Sequence, residues 1–172
     1  MYAIDWNDFT ATDVAVLCFV RDNGSVLLIH KKRGLGAGKI NGPGGKLEEG
    51  ETPVDAAIRE TTEEVGVVPE NPVHRGVLRF AFTDGYNLEV HVFVADRHDG
   101  EPIETQEAKP FWQSTDSIPF DKMWADDRLW LPQVLEGRTV NGRLVFRDDE
   151  MIEWNISVDG TGQAPFVIAG GV

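Results

Sequence analysis

A single cysteine, Cys18, stands among 172 residues, and a lone thiol cannot close a disulfide within its own chain. A disulfide framework is thereby excluded, and because Cys18 sits in the apolar run from Val14 to Val20, a buried core thiol is expected. Basic residues are scarce too: 16 Lys and Arg face 29 Asp and Glu, for a formal net charge of -13. Nucleic-acid backbones are gripped by patches of Lys and Arg, so no direct nucleic-acid binding is expected. A small anionic ligand would have to be drawn in locally, by the cluster Lys31, Lys32, Arg33, Lys39 and Lys46 or by a divalent cation held on carboxylates. There is no run of about 18 apolar residues, and no charged segment followed by an apolar one at the N-terminus. Membrane spanning and secretion both lack support, and a soluble cytoplasmic protein is expected. Internal repeats and low-complexity segments are missing as well. With 41% hydrophobic residues the chain can bury one core and is short for two. One domain is expected over 13–158, as a monomer, between an N-terminal extension of 1–12 and a tail of 159–172, neither with a clear pattern.

What is present is rich in strand signals. Val14 to Val20 and Ser25 to Ile29 flank Asp22-Asn23-Gly24 and predict a hairpin. Glycines then crowd positions 34, 36, 38, 42, 44 and 45, which reads as a loop whose backbone approaches something closely. His74 to Phe82 and Leu88 to Ala95, split by Asp84-Gly85, predict a second antiparallel unit, with a short strand over Lys109 to Gln113. Asp127 to Leu135, closed by Gly137, predicts a helix that contains Pro132. Asn141-Gly142 reads as a turn joining two final strands near Val140 and Leu144 to Phe146, and Trp154 to Val158 as one more.

The most informative stretch runs from Gly45 to Val67. Thr52 is a good N-cap, Pro53 suits the first helical position, Asp55 stands at capping-box spacing, and Gly66 can adopt the left-handed conformation past the end. At about 100° per residue, Val54, Ile58, Thr61 and Val65 share an apolar side, while Glu60, Glu63 and Glu64 share another arc. Three carboxylates at this spacing repel one another by roughly a few tenths of a kcal/mol per pair. Acidic runs of this kind are in most helices a solvated face. Here the glycine loop, the capped start and Arg59 point instead to a cation that compensates the charge, and Ala56 and Ala57 at the edges of the acid arc would let a loop or a phosphate come near.

Gly45, Glu51, Arg59, Glu60, Glu63, Glu64, Gly66 and Val67 fit the spacing Gly-x5-Glu-x7-Arg-Glu-U-x-Glu-Glu-x-Gly-U, U being apolar, and so resemble the Nudix box. Thr61, at the first U position, departs from it. Further strings, among them Lys31-Lys-Arg-Gly, Gly44-Gly-Lys, Val90-His-Val-Phe and Met123-Trp-Ala-Asp-Asp, resemble the MutT-like oxidised-purine nucleoside triphosphatases, over roughly Val14 to Val158. The resemblance implies an α/β/α sandwich with a mixed sheet between helices. It implies hydrolysis of a modified purine nucleoside triphosphate to the monophosphate and pyrophosphate, a role in cleansing the nucleotide pool, and Mg2+ as cofactor with Mn2+ as a substitute. Carried over residue by residue, the Gly44 carbonyl, Glu60, Glu63, Glu64 and Glu107 would hold metal, Arg59 would orient the acids, Glu51 would pin the loop, and Lys31 and Gly45 would meet the phosphates. Glu63 and Glu107 both stand as candidates for the general base.

For the base, Asn41 offers a paired donor and acceptor, Trp124 and Phe80 offer stacking walls, and Asp126 with Asp127 could address the far edge. Two neighbouring carboxylates on one ligand disfavour double ionisation, so one could keep its proton. The competing reading makes Asp126 or Asp127 a helix cap and Trp124 a packing residue. Leu35 stands where the resembled enzymes carry an aromatic residue, and the loop Thr83 to Asn87 differs, both of which bear on base preference. Two other functions stay open: a Nudix hydrolase of another diphosphate-linked substrate (a dinucleoside polyphosphate, a nucleotide sugar, capped RNA), or a nucleotide-sensing module without turnover. His91 reads as a packed or rim residue. His30, His74 and His98 show no partner spacing, and Trp6, Trp112, Trp130 and Trp154 read as anchors without chemistry.

Overall fold

Alternation along strand β1 (Asp13–Asp22) sends successive side chains to opposite faces of a sheet, and both faces are apolar. Val16, Cys18 and Val20 point to one core, while Ala15, Leu17 and Phe19 point to the other. A strand of that kind has to be covered on both sides. The computed structural model, which describes residues 3–160 and 162–172, supplies a helix for each face. Helix α1 (Pro53–Val65) contributes Ala56, Ala57 and Val65 to the first core, and helix α2 (Asp127–Leu135) contributes Trp130, Leu131 and Val134 to the second. The expected α/β/α sandwich is borne out.

The remaining strands are β2 (Ser25–Lys31), β3 (Ile40–Asn41), β4 (Gly44–Lys46), β5 (Val68–Glu70), β6 (Val73–Phe82), β7 (Asn87–Ala95), β8 (Arg97–Asp99), β9 (Ala108–Ser114), β10 (Thr139–Arg147), β11 (Glu150–Asp159) and β12 (Phe166–Gly171). The large sheet runs β12-β11-β10-β6-β7-β1-β2-β3, with β4 on β1 and β9 on β2, and β5 pairs with β8 apart from it. It is mixed: β1 lies parallel to β7 and β10 parallel to β6, while the other pairs are antiparallel. The hairpin at Asn23-Gly24 forms with both residues at positive φ, 47° and 77°, yet only Arg21↔Val26 and Asp22↔Ser25 pair, after which the two strands part. Their separation leaves room between them for the short strands of the glycine-rich segment, which is less of a loop than its composition predicts: Ile40–Asn41 pairs with β2 and Gly44–Lys46 with β1.

Helix α1 starts and stops where its caps are. The Asp55 N–H donates to Thr52 Oγ1 at 3.3 Å, and Gly66 takes φ 73°, its N–H donating to Thr62 O. Its buried side follows the expected apolar side only in part: Thr61 and Val65 are buried as expected, Val54 and Ile58 are not. Val54 is 38% exposed and Ile58 half-buried, while Ala56, Ala57, Thr61, Glu64 and Val65 are buried. Small residues lie against the sheet because the helix packs close to it, and Thr61 satisfies its hydroxyl by donating to Ala57 O at 2.7 Å.

Two other expectations are corrected. Asn141-Gly142 is no turn; it lies within the continuous strand β10, and the chain reverses at Asp148, φ 54°. The glycine is there for clearance, since a Cβ on Gly142 would come within 2.7 Å of Leu78 Cδ2. The tail, read as patternless, carries β12, which pairs with β11 from Val158↔Phe166 to Glu153↔Gly171. At the other end the Thr12 N–H donates to Asn87 O at 2.8 Å, tying the start of the chain to the edge of β7.

Candidate active site

Where the chain leaves β4 for α1 it crosses a surface turn with little apolar content, so charge has to hold it. Glu51 does this with both oxygens: Arg59 donates through Nε to Oε2 at 2.7 Å and through a terminal nitrogen to Oε1 at 2.8 Å. The Glu48 N–H also donates to Glu51 Oε1 at 3.0 Å. Hydrogen bonding from Arg59, reinforced by the Glu48 amide, draws the Glu51 carboxyl down to about 2. The other guanidinium edge reaches Glu60 at 2.9 Å, Glu63 at 3.1 Å and the Lys46 carbonyl at 3.1 Å. One arginine thus ties the turn, the end of β4 and two helix acids together.

Glu60 lies so close under β4 that a Cβ on Gly45 would stand 2.4 Å from its carboxyl carbon. Burial raises its pKa, the Arg59 contact opposes that, and Glu63 and Glu107 add to the rise. Glu64 goes deeper, at 4% exposed, and its Oε1 is buried without a hydrogen-bond partner. Burial pushes its carboxyl up to about 7, against the pull of Lys31 and the Gly44 amide and with the repulsion of Glu107 and Glu60. Glu63 is more exposed, and Glu107 is paired with Arg33 at 3.1 Å. Among the described residues no three acidic, His or Cys side chains stand at the spacing of a closed cation cage, Arg59 being the partner of Glu60 and Glu63 instead.

Glu64, Gly44 and Gly45 form one end of a cleft of about 670 Å³ between β1, the glycine segment and the β6–β7 hairpin. Lys31 and Lys46 border that end; Asn41, Phe80, Trp124, Asp126 and Asp127 line the rest. The structure therefore brings one acid of the helix, Glu64, and the base-recognition candidates onto a single cavity. Arg59, Glu60, Glu63 and Glu107 stand outside its lining.

At the aromatic end, Asp126 and Asp127 are 2% and 3% exposed, and Asp126, at the N-cap position of α2, makes no side-chain capping bond, which removes the cap reading for that residue. Asp126 Oδ2 instead accepts from Trp130 Nε1 at 2.7 Å, while Asp126 Oδ1 and Asp127 Oδ2 are buried without partners. Burial pushes Asp126 up to about 6, opposed by the Trp130 donor. Asp127 rises further, through burial and then the neighbouring Asp126 charge. The Asn41 carbonyl oxygen accepts from the Gly42 N–H at 2.8 Å, which fixes the amide's orientation.

Several residues assigned no role in the sequence belong to this site. Trp130, read as an anchor, lines the cleft and holds Asp126; its spacing of four from Asp126 on a helix was the available signal. Tyr86 lines the mouth and donates to Asp13 Oδ2 at 2.8 Å, where Lys46 also arrives at 3.0 Å, so both partners hold the Asp13 carboxyl below its ordinary range. Nothing local announces that link across 73 residues. The histidines without partner spacing do have partners: His74 Nε2 lies 3.0 Å from His91 Nδ1, across the β6–β7 pair and next to a bulge, and His98 lies 3.4 Å from Asp22. His91 is off the cleft, in keeping with a packed or rim position.

Comparison with known proteins places these features among relatives. Residues 11–134 match the NUDIX domain family. The chain is 44% identical over 137 residues to the oxidized purine nucleoside triphosphate hydrolase of Danio rerio, covering 79% of this chain and 88% of that protein. It is 43% identical over 128 residues to the mouse protein of the same name, covering 74% and 82%. Its fold is similar to the crystal structure of the MutT protein from Bacillus halodurans, with a TM-score of 0.77, 29% identity, and coverage of 84% of this chain and 97% of that one.

Proposed function

Because the chain belongs to the NUDIX family, we propose that it is a divalent-metal-dependent pyrophosphohydrolase of oxidised or otherwise modified purine nucleoside triphosphates, yielding the monophosphate and pyrophosphate. The reading is supported by the fish and mouse relatives, both named oxidized purine nucleoside triphosphate hydrolases. The observation that carries it is the single cleft that joins the buried, partnerless Glu64 oxygen to the buried Asp126–Asp127 pair.

The phosphate end fits a hard cation. Its donors are carboxylates and a backbone carbonyl, the class Mg2+ prefers and Mn2+ accepts. The orphaned Glu64 Oε1 gains a partner there, and Gly45 leaves the clearance that keeps Glu60 beneath the loop. Glu64, Glu60 and the Gly44 carbonyl would hold the ion, with Glu63 and Glu107 as the acids adjoining them. Bound there, a divalent cation supplies charge neutralisation on the phosphates and a more acidic water. The rest falls to the protein. Lys31 and Lys46 draw the polyphosphate into a molecule whose net charge has the same negative sign. Arg59 keeps Glu51, Glu60 and Lys46 in fixed relation, so the acids lose little freedom when an ion arrives. The general-base candidates Glu63 and Glu107 are each paired with an arginine off the cleft, and among the acids of α1 it is Glu64 that lines it.

At the other end Phe80 and Trp124 supply stacking surfaces and Asn41 a fixed amide. Asp126 and Asp127 would supply one acceptor and one donor: the Trp130 N–H favours the charged form of Asp126, while burial and the neighbouring Asp126 charge favour the protonated form of Asp127. A purine edge altered by oxidation presents adjacent donor and acceptor groups to such a pair. Steady-state hydrolysis with Mg2+ across modified and ordinary purine triphosphates, dinucleoside polyphosphates, nucleotide sugars and capped RNA tests the proposal, products being identified. It requires pyrophosphate release and a kcat/KM for at least one modified purine triphosphate above that of every other class. A panel led by another class would overturn it.

A further inference from the structure

Trp124 lies outside any regular element, between a short 3-10 turn at Phe120–Lys122 and the start of α2, so its indole plane is set by neighbours and not by its own backbone. Those neighbours come from three other segments: the glycine segment, β6 and β10. A Cβ on Gly36 would lie 2.7 Å from the indole nitrogen, which packs the glycine loop against one edge. Phe82 and Phe146 stand nearly perpendicular to the ring, at 75° and 82° with centroids 6.3 and 5.5 Å away. Finally, the Lys39 ammonium lies over the ring, 5.2 Å from its centroid, and reaches Asp149 Oδ2 at 3.3 Å.

Lys39 and Asp149 come from the glycine segment and from the turn between β10 and β11, 110 residues apart, and neither contributes to the cleft lining, whereas Trp124 does. The ammonium therefore lies over the indole without lining the cavity, anchored by a carboxylate that is likewise outside it. We propose that Lys39 and Asp149 are positioning residues that fix Trp124 as a stacking wall of the base slot, so that an ion pair outside the cavity sets affinity for the purine. The inference rests on the functional reading above. A cation over one face of an aromatic ring is attracted by the ring and holds its orientation, and Asp149 keeps the flexible lysine stem from leaving.

A competing role for Lys39 would be simple attraction of phosphate, and the two roles predict opposite signs for one variant. Asp149→Asn removes a negative charge and leaves Lys39 in place. If Lys39 acted as a phosphate magnet, the KM for a modified purine triphosphate would fall; if it positions Trp124, the KM rises. We expect Lys39→Met to raise KM roughly fivefold with kcat within about twofold of wild type, Asp149→Asn to raise it in the same direction, and Lys39→Arg to restore it. Because Trp124 is the group displaced, its indole N–H resonance should shift in Lys39→Met and Asp149→Asn without ligand, and return in Lys39→Arg. A lowered KM in Asp149→Asn, or wild-type KM and an unmoved indole signal in both variants of an active enzyme, overturns the inference while leaving the activity standing. A wild-type protein that hydrolyses no modified purine triphosphate overturns the functional reading, and the inference falls with it.

Discussion

Glu64 is a carboxylate where a neutral side chain of the same shape would fold more easily. Its burial raises the pKa to about 7, so the folded state loses stability as pH rises from the unfolded value near 4.5 through 7. Glu64→Gln should therefore keep the fold, flatten that part of the stability profile, and lower Mg2+-dependent kcat by roughly a hundredfold or more, given that losing even an outer-shell partner of a metal costs up to about that much. Steady-state kinetics beside a thermal melt separates the two effects, and undiminished turnover would remove Glu64 from the mechanism. The aspartate pair follows the same sign. Burial holds both carboxyls above their unfolded values of 3.8, so stability is full at low pH and is lost as the pair is driven to ionise. Asp127→Asn removes one of the two ionisations and should reduce the decline in urea stability as pH rises from 5 to 8; an unchanged slope would place the proton elsewhere. At this scale the sequence carries much of the site: neighbouring acids at 126 and 127 and the acids of the helix are adjacent or a few residues apart, so spacing reveals them. Tyr86 with Asp13 and Lys39 with Asp149 are joined only by folding, and no spacing could have announced them.

Helix α1 and the turn before it form one electrostatic unit, since the turn from Lys46 to Thr52 has little apolar burial and depends on the Glu51–Arg59 fork. A carboxyl drawn down to about 2 contributes stability that is present above its unfolded value of 4.5 and is lost as pH falls from there toward 2. Glu51→Gln should lose that acid-sensitive contribution at neutral pH, speed amide exchange at the Glu48 N–H, and lower turnover by freeing Arg59 from its place against Glu60. Exchange at residue 48 as slow as in wild type would show the turn to be held by something else. Both ends of this helix were legible because caps are local; its buried side was legible at Thr61 and Val65 but not at Ala56 and Ala57, because depth of packing and not apolarity chose those alanines over Val54. Asn141-Gly142 misled for a related reason: a glycine required for clearance beside Leu78 looks in sequence like one required by a turn.

Across the whole molecule, the apolar two-faced strands and the two helical intervals made the sandwich readable, but the breadth of the sheet was not, since β12 has a pattern only once it is paired. Its residues alternate weakly, and Gly170 is present because the Trp154 ring lies where its Cβ would be, 2.4 Å away. That strand covers Trp154 and Ile156 at the edge opposite β2 and β3 and lines no part of the cleft. Ending the chain at Asp159 uncovers the edge of β11, the Trp154 ring and the apolar contacts of Ile168. Re-exposing one or two large apolar side chains costs about 2 kcal/mol, which in a domain of this size lowers Tm by roughly 4–8 °C. Because the β6 residues of the cleft are separated from β12 by β10 and β11, KM for the preferred triphosphate should stay within about twofold of the full chain, an ion-pair-sized change at most. A truncated protein that melts like the full chain would make β12 an ornament of the sheet. One that keeps its Tm but loses affinity would place the tail at the cleft, where nothing in the packing puts it.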